Sequence, residues 1–89
     1  MKAIITVIGQ DKVGIIAGVS GYLKEINVNI LDINQTIMGD IFTMVMLVDT
    51  EKSTVGFDEF VKGVSSLGES MGVQILATNE EIYKSMHRI

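Results

Sequence analysis

The residues most able to do chemistry sit in one short loop, Gly9-Gln10-Asp11-Lys12-Val13-Gly14. Gly9 and Gly14 have the glycine spacing of a phosphate-binding loop. The Lys-Ser/Thr pair that would hold phosphate and magnesium is replaced by Ile15-Ile16, and no G-x-G-x-x-G follows. What the loop offers is a helix start with backbone N–H groups free to bind, a glycine that allows close approach, and one carboxylate at Asp11. That set suits a zwitterion: the carboxylate of a free amino acid on the N–H groups at Gly14 to Ile16, its ammonium near Asp11. In the other reading, Asp11 only caps the helix and Gly14 only turns the chain. Both stay open on local chemistry.

Other reactive groups are sparse. Cysteine is absent, which removes disulfides, thiolate metal sites and thiol nucleophiles together. The one histidine, His87, cannot build a multi-histidine metal cage and reads as a solvated surface residue. Met38, Met44, Met46, Met71 and Met86 fall on strand and helix faces, where methionine is expected as core filler rather than as a soft-metal set. The only arginine is Arg88, no histidine lies near a loop serine, and no carboxylate pair frames a cleft, so no catalytic residues, metal or cofactor are expected. Seven Lys+Arg against eleven Asp+Glu give a net charge of −4, with a pI near 4.7. A nucleic-acid partner is not expected at that charge.

The elements that must carry this loop follow from periodicity. Residues 3 to 9, AIITVIG, form a β-branched strand that is apolar on both faces. From Gly14 to Asn27, Ile16, Val19, Leu23 and Ile26 recur at helical spacing, with Gly14, Gly18 and Gly21 opposite them. Three glycines on an outer face suit the approach of another chain or a ligand, or else mark a soft helix held by packing. VNILDINQTIM then alternates as a half-exposed edge strand with a polar rail of Asn29, Asp32, Asn34 and Thr36. Gly39-Asp40 predicts a tight hairpin into IFTMVMLVD, with positive φ at the glycine. A second helix carries Phe57, Phe60, Val61, Val64, Leu67 and Met71 on one face and ends at Gly72. VQILAT is the fourth strand, and Asn79 caps a last helix, 79–89, whose Ile82, Met86 and Ile89 form an apolar stripe expected to dock.

A shift of 45 residues superposes the two halves by residue type, Val19 on Val64 and Val28 on Val73 among them. The expectation is one α+β domain spanning 1–89: a ferredoxin-like βαββαβ sandwich of order 4-1-3-2 with both main helices on one face. No apolar stretch approaches the ~20 residues of a membrane span, and the start reads as a strand rather than a signal peptide. A cytoplasmic protein with no membrane partner is expected. Apolar residues make up 47% of the chain, and strands one and three are apolar on both faces, so a homodimer is expected, joined edge to edge or through the helix-free sheet face.

The run TVIGQDKVGIIAGVSGYLKEINVNILDINQT resembles the ACT domain family, through Asp11, Gly14, Ile15, Ile16, Val19, Leu23, Val28, Asn29 and Ile30. The length is similar to that of small stand-alone ACT proteins of bacteria and archaea. The pattern is similar to the amino-terminal ACT domains of formyltetrahydrofolate deformylase and of the glycine cleavage system transcriptional repressor. The resemblance implies the same βαββαβ fold and a regulatory module that binds an amino acid between paired domains and acts on an unknown target protein. It also implies a role for Asp11 and for Asn29 of the paired domain, which match the ligand-holding positions of serine-binding members. Those members have a histidine where this chain has Gly9. The candidate ligand-binding set is therefore Gln10, Asp11, Val13, Gly14, Ile15, Ile16 and Asn29. A ligand-free dimeric adaptor is the alternative.

Overall fold

The computed structural model describes residues 1–10 and 14–86. Asp11, Lys12, Val13, His87, Arg88 and Ile89, all named above, lie outside them. The elements are β1 (Lys2–Gln10), α1 (Ile15–Glu25), β2 (Asn29–Met38), β3 (Ile41–Asp49), α2 (Phe57–Met71), β4 (Gln74–Asn79) and α3 (Glu80–Met86). The four strands form one antiparallel sheet of order β2-β3-β1-β4, the order expected from the pattern.

Alternation decides which side chains meet the helices. Ala3, Ile5 and Val7 of β1, Phe42, Met44, Met46 and Val48 of β3, and Ile75 of β4 point to one face. There they pack on Ile15, Val19 and Leu23 of α1, a spacing of four that keeps one helix stripe inward, and on Phe60 and Val64 of α2. Each such burial contributes roughly 1.5–3 kcal/mol, enough in sum to set the register of every central strand. The tilted Phe57–Phe60 ring pair, 5.7 Å between centroids, extends this core, and Asp58 and Glu59 complement the positive end of α2.

The two halves echo each other in how their helices stop. Asn27 (φ 61°) and Gly72 (φ 72°), 45 positions apart, both turn left-handed after a helix. In the first, Val28 N–H donates to Leu23 C=O at 2.9 Å and Asn27 N–H to Lys24 C=O at 3.1 Å. In the second, Val73 N–H donates to Gly68 C=O at 2.9 Å and Gly72 N–H to Glu69 C=O at 3.3 Å. This is the same paired-bond stop on both helices, which satisfies their last carbonyls. The hairpin is also as expected, since Gly39 has φ 62° and Asp40 does not share the positive sign. The Asn79 side chain accepts from Glu81 N–H at 2.8 Å and so caps α3.

Several expectations change. β2 is exposed on both faces from Leu31 to Met38 rather than half-exposed, and it is Ile30, at its start, that packs against the core. A bulge between Ile30 and Asp32 interrupts its alternation. Met44 and Met46 fill the core as expected, whereas Met38 and Met86 are open to solvent. Ile82 and Met86 of α3 are 56% and 61% exposed, so these two members of the expected stripe are not docked within the chain, and Ile89 lies outside the described residues. The described helix is seven residues long and lies against β1 and β4. Gly18 does not face outward with its neighbours: a Cβ there would lie 2.9 Å from Met71 Sδ, which makes it a contact glycine between α1 and α2. Gly14 and Gly21 do open to empty space.

Candidate functional site

β1 ends at Gln10, and α1 begins five residues later behind Gly14. Gly14 has φ 94°, a left-handed geometry that L side chains rarely adopt, and an added Cβ would meet nothing within 4 Å. Among the described residues, none stands against the helix start at this position. The first ladder bond is Gly18 N–H to Gly14 C=O at 2.8 Å, so the N–H groups of Ile15, Ile16 and Ala17 precede the ladder and point out of the helix end. Ile15 drives its side chain into the core and anchors this corner, while Gly14, Ile16 and Gln10 are exposed around it. Gln10 also lines a cleft of about 590 Å³ with Gly9, Ser65, Glu69 and Gln74. Val73 packs closely on the end of β1, because a Cβ on Gly9 would stand 2.6 Å from Val73 Cγ1.

Asn29 belongs elsewhere. It opens β2 opposite Asp49, which in turn pairs with Lys2 at the start of β1. Eight residue steps of β1 separate that row from Gln10, roughly 27 Å of strand. Within one chain the structure gathers Gln10, Gly14, Ile15 and Ile16, and leaves Asn29 at the opposite end of the sheet. Asp11 and Val13 lie outside the described residues.

Around Asn29 is a second open cleft of about 710 Å³, lined by Ser20, Lys24, Asn27, Asp49, Glu51 and Lys52 among others. Its polar groups already hold one another. Asp49 carboxylate accepts from Glu51 N–H at 2.9 Å and stands 3.9 Å from the Met1 ammonium, and Asn27 Nδ2 donates to Lys52 C=O at 3.0 Å. Sequence reading singled out Asn27 only as a helix stop and passed over Lys24, Asp49 and Lys52, whose convergence depends on β3 returning beside β2. Among the described residues no cluster of three His, Cys, Asp or Glu side chains is placed to hold a metal. No described helix is long and apolar enough to cross a membrane.

Among the described residues, Tyr22, between the helices, has its acidity altered. Burial, then the nearby Glu59 and Glu25 carboxylates, raise the Tyr22 phenol above its ordinary 10.0. Its hydroxyl rests where a Cβ on Gly63 would stand, so the phenol fills the gap that this glycine leaves between α1 and α2.

An antiparallel βαββαβ sandwich whose first helix starts behind a left-handed glycine defines the class: a ferredoxin-like domain. The ACT domain profile matches residues 2–77, and the chain belongs to the ACT domain family. Domains of this family are commonly small-molecule-binding regulatory modules. The chain is 55% identical over 89 residues to a UPF0237 protein of Clostridium acetobutylicum, covering 100% of both. Its structure is similar to an ACT domain protein from Streptococcus pneumoniae, with TM-score 0.82, 39% identity and 98% of each chain covered. It also resembles a formyltetrahydrofolate deformylase from Pseudomonas putida at TM-score 0.76, covering 89% of this chain and 29% of that one. At 16% identity that likeness is one of fold.

Proposed function

We propose that this chain is a regulatory module that binds a small amino acid at the start of α1 as a homodimer and passes its occupancy to a partner protein in the cytoplasm. The observation that carries the reading is the helix start itself: a left-handed Gly14 with no described residue within 4 Å of an added Cβ, and three N–H groups ahead of the ladder. A carboxylate placed there meets oriented donors and the positive end of the helix dipole. Asp11 is the partner for the ammonium, and Asn29 of a second copy closes the site, since within one chain it stands at the far end of the sheet. A net charge of −4 ranks glycine and other small neutral amino acids above aspartate or glutamate.

The test is a thermal-shift panel of the twenty amino acids at millimolar concentration. A ligand at a hundredfold excess over Kd stabilises the folded state by about 2.7 kcal/mol, which a melt resolves easily. Gly14→Val, by filling the corner, and Asp11→Ala, by removing the ammonium partner, are each expected to abolish the shift measured against their own ligand-free melts. Lys62→Ala on α2 is expected to leave it intact. A flat panel for the unmutated chain refutes the ligand reading in favour of a ligand-free dimeric adaptor. That second reading is favoured by the exposed Ile8, Ile41 and Leu76 on the face opposite α1 and α2.

A further inference from the structure

The internal repeat that stops both main helices alike also gives the fold one cleft twice. Each cleft lies where a helix ends and an edge strand begins. Ser20 and Lys24 of α1 and Asn29 of β2 line the first; Ser65 and Glu69 of α2 and Gln74 of β4 line the second. A shift of 45 residues sets Ser20 on Ser65, Lys24 on Glu69 and Asn29 on Gln74. The two clefts differ in how their polar groups are used. In the first, the segment after β3 brings in Asp49 and Lys52, and Asp49 and Asn27 already hold bonds within the chain. In the second, the end of β1 brings in Gln10, and the side chains of Gln10, Ser65, Glu69 and Gln74 are bonded to nothing among the described residues. They differ in charge as well. α1 carries Lys24 in its last turn, where a cation complements the negative end of the helix dipole. α2 has no basic residue in its last turn and holds Glu69 there instead. A carboxylate at that end is repelled by the helix carbonyls, and among the described residues no Lys or Arg lines the cleft to offset it. Local choices that oppose stability concentrate where function requires them.

We infer that the cleft at the end of α2 is a binding site for a primary ammonium group carried on a short alkyl chain, separate from the corner at the start of α1. An ammonium brings three N–H donors and no acceptor. All four unbonded side chains can accept from it: the Glu69 carboxylate, the Ser65 hydroxyl, and the amide oxygens of Gln10 and Gln74. Glu69 supplies the charge, and the negative end of α2 adds to it. An anion at the same place would meet a carboxylate and the carbonyl end of a helix. A metal ion would find one carboxylate, since no cluster of three His, Cys, Asp or Glu is placed to hold a metal among the described residues. Val73 and Leu76 offer apolar surface to the alkyl chain, and the cleft's volume of about 590 Å³ is that of a small-molecule site. The α1 corner recognises a carboxylate, whereas this cleft needs only the amine. Gln10 borders both, so the two sites are neighbours that can be emptied separately.

The test is a titration of the isotope-labelled full chain with n-butylammonium chloride near neutral pH, followed by two-dimensional amide NMR. An alkylammonium, like a lysine side chain with its pKa of about 10.4, is fully charged there. Saturable shifts are expected at the amides of Gln10, Glu69, Gly72 and Gln74, and none at Asn29 or Glu51 in the other cleft. 1-Butanol, which has the chain without the charge, and sodium chloride, which has the charge without the chain, are expected to give no saturable shift. Glu69→Gln keeps the shape and removes the charge. It is expected to weaken butylammonium binding by about tenfold, the loss of one charge-assisted bond. The same variant is expected to melt no lower than the parent, because the carboxylate it removes opposes the helix dipole. Gly14→Val, which fills the α1 corner, is expected to leave butylammonium binding unchanged, so failure of the amino-acid reading and failure of this one are told apart. A titration without saturation, an equal response to 1-butanol, or shifts centred on Asn29 each overturns the inference. So does a Glu69→Gln chain that binds as tightly as the parent, or one that melts lower and so marks Glu69 as a structural residue.

Discussion

Glycine-to-alanine substitution has opposite expected signs at two helix positions of this chain, and the structure gives the reason. Alanine inside a helix is favoured over glycine by roughly 0.5–1 kcal/mol, because it loses less backbone entropy on folding. At Gly21, within α1, an added Cβ meets nothing within 4 Å, so the full gain is expected, a rise in Tm of about 2–8 °C for a chain of this size. At Gly68, within α2, the same methyl would stand 2.8 Å from Val73 O, 2.9 Å from Ile75 Cγ1 and 3.1 Å from Ile75 N. Two of these are backbone atoms of the chain turning into β4, and Val73 N–H is already bonded to Gly68 C=O. They cannot swing aside as a flexible side chain would, and overpacking of this kind costs about 1–3 kcal/mol. Set against the helix gain, Gly68→Ala is expected to lose about 1–2 kcal/mol. Urea denaturation of both variants and the parent at one protein concentration, with m-values compared, measures the difference. A Gly68→Ala chain as stable as the parent, or a destabilised Gly21→Ala chain, refutes this account of how α2 meets β4.

The phenol of Tyr22 has a folded pKa above its unfolded value of 10.0, so it favours folding fully below about pH 10, and that contribution is lost as pH rises toward the folded pKa and beyond. Tyr22→Phe is therefore expected to lose stability less steeply than the parent above pH 10 and in parallel with it below; parallel curves throughout would refute the assignment. Asn27→Ala is expected to cost about 1.5–3 kcal/mol, combining the left-handed backbone at φ 61° with the lost bond to Lys52 C=O. Asn27→Gly keeps the backbone geometry and is expected to cost less than half of that, which paired denaturation curves resolve.

The strand order, the Gly39 turn, the stop at Gly72 and the cap at Asn79 were legible because each depends on local chemistry or on a period of two or about four. For the loop from Gly9 to Gly14, the left-handed glycine before α1 was legible for the same reason, while binding at Gln10, Asp11, Val13, Gly14, Ile15, Ile16 and Asn29 remains an expectation. What the sequence did not reveal depends on which element lies beside which. Gly18 sits on the flank of α1 that α2 happens to approach, a fact set by Met71, 53 positions away. Methionine serves equally in a core and on a surface, so Met44 and Met38 could not be told apart by type. Ile82 and Met86 have the helical period of a docked face, but both are exposed in the structure, and period alone cannot show whether a groove lies opposite them. The cleft lined by Lys24, Asn27, Asp49 and Lys52 arises from two separate segments and has no signature in either of them.

The placement of Gly14 and Asn29 at opposite ends of one sheet has a thermodynamic consequence. A molecule the size of an amino acid cannot span roughly 27 Å, so any ligand that touches both residues is shared between two chains. Its apparent affinity then depends on how many chains are paired, and by reciprocity its presence tightens the pairing by the same factor by which pairing tightens its binding. A site of this kind reports the product of two concentrations, that of the small molecule and that of the protein, so a cell can retune its response by making more or less of the chain without changing a residue.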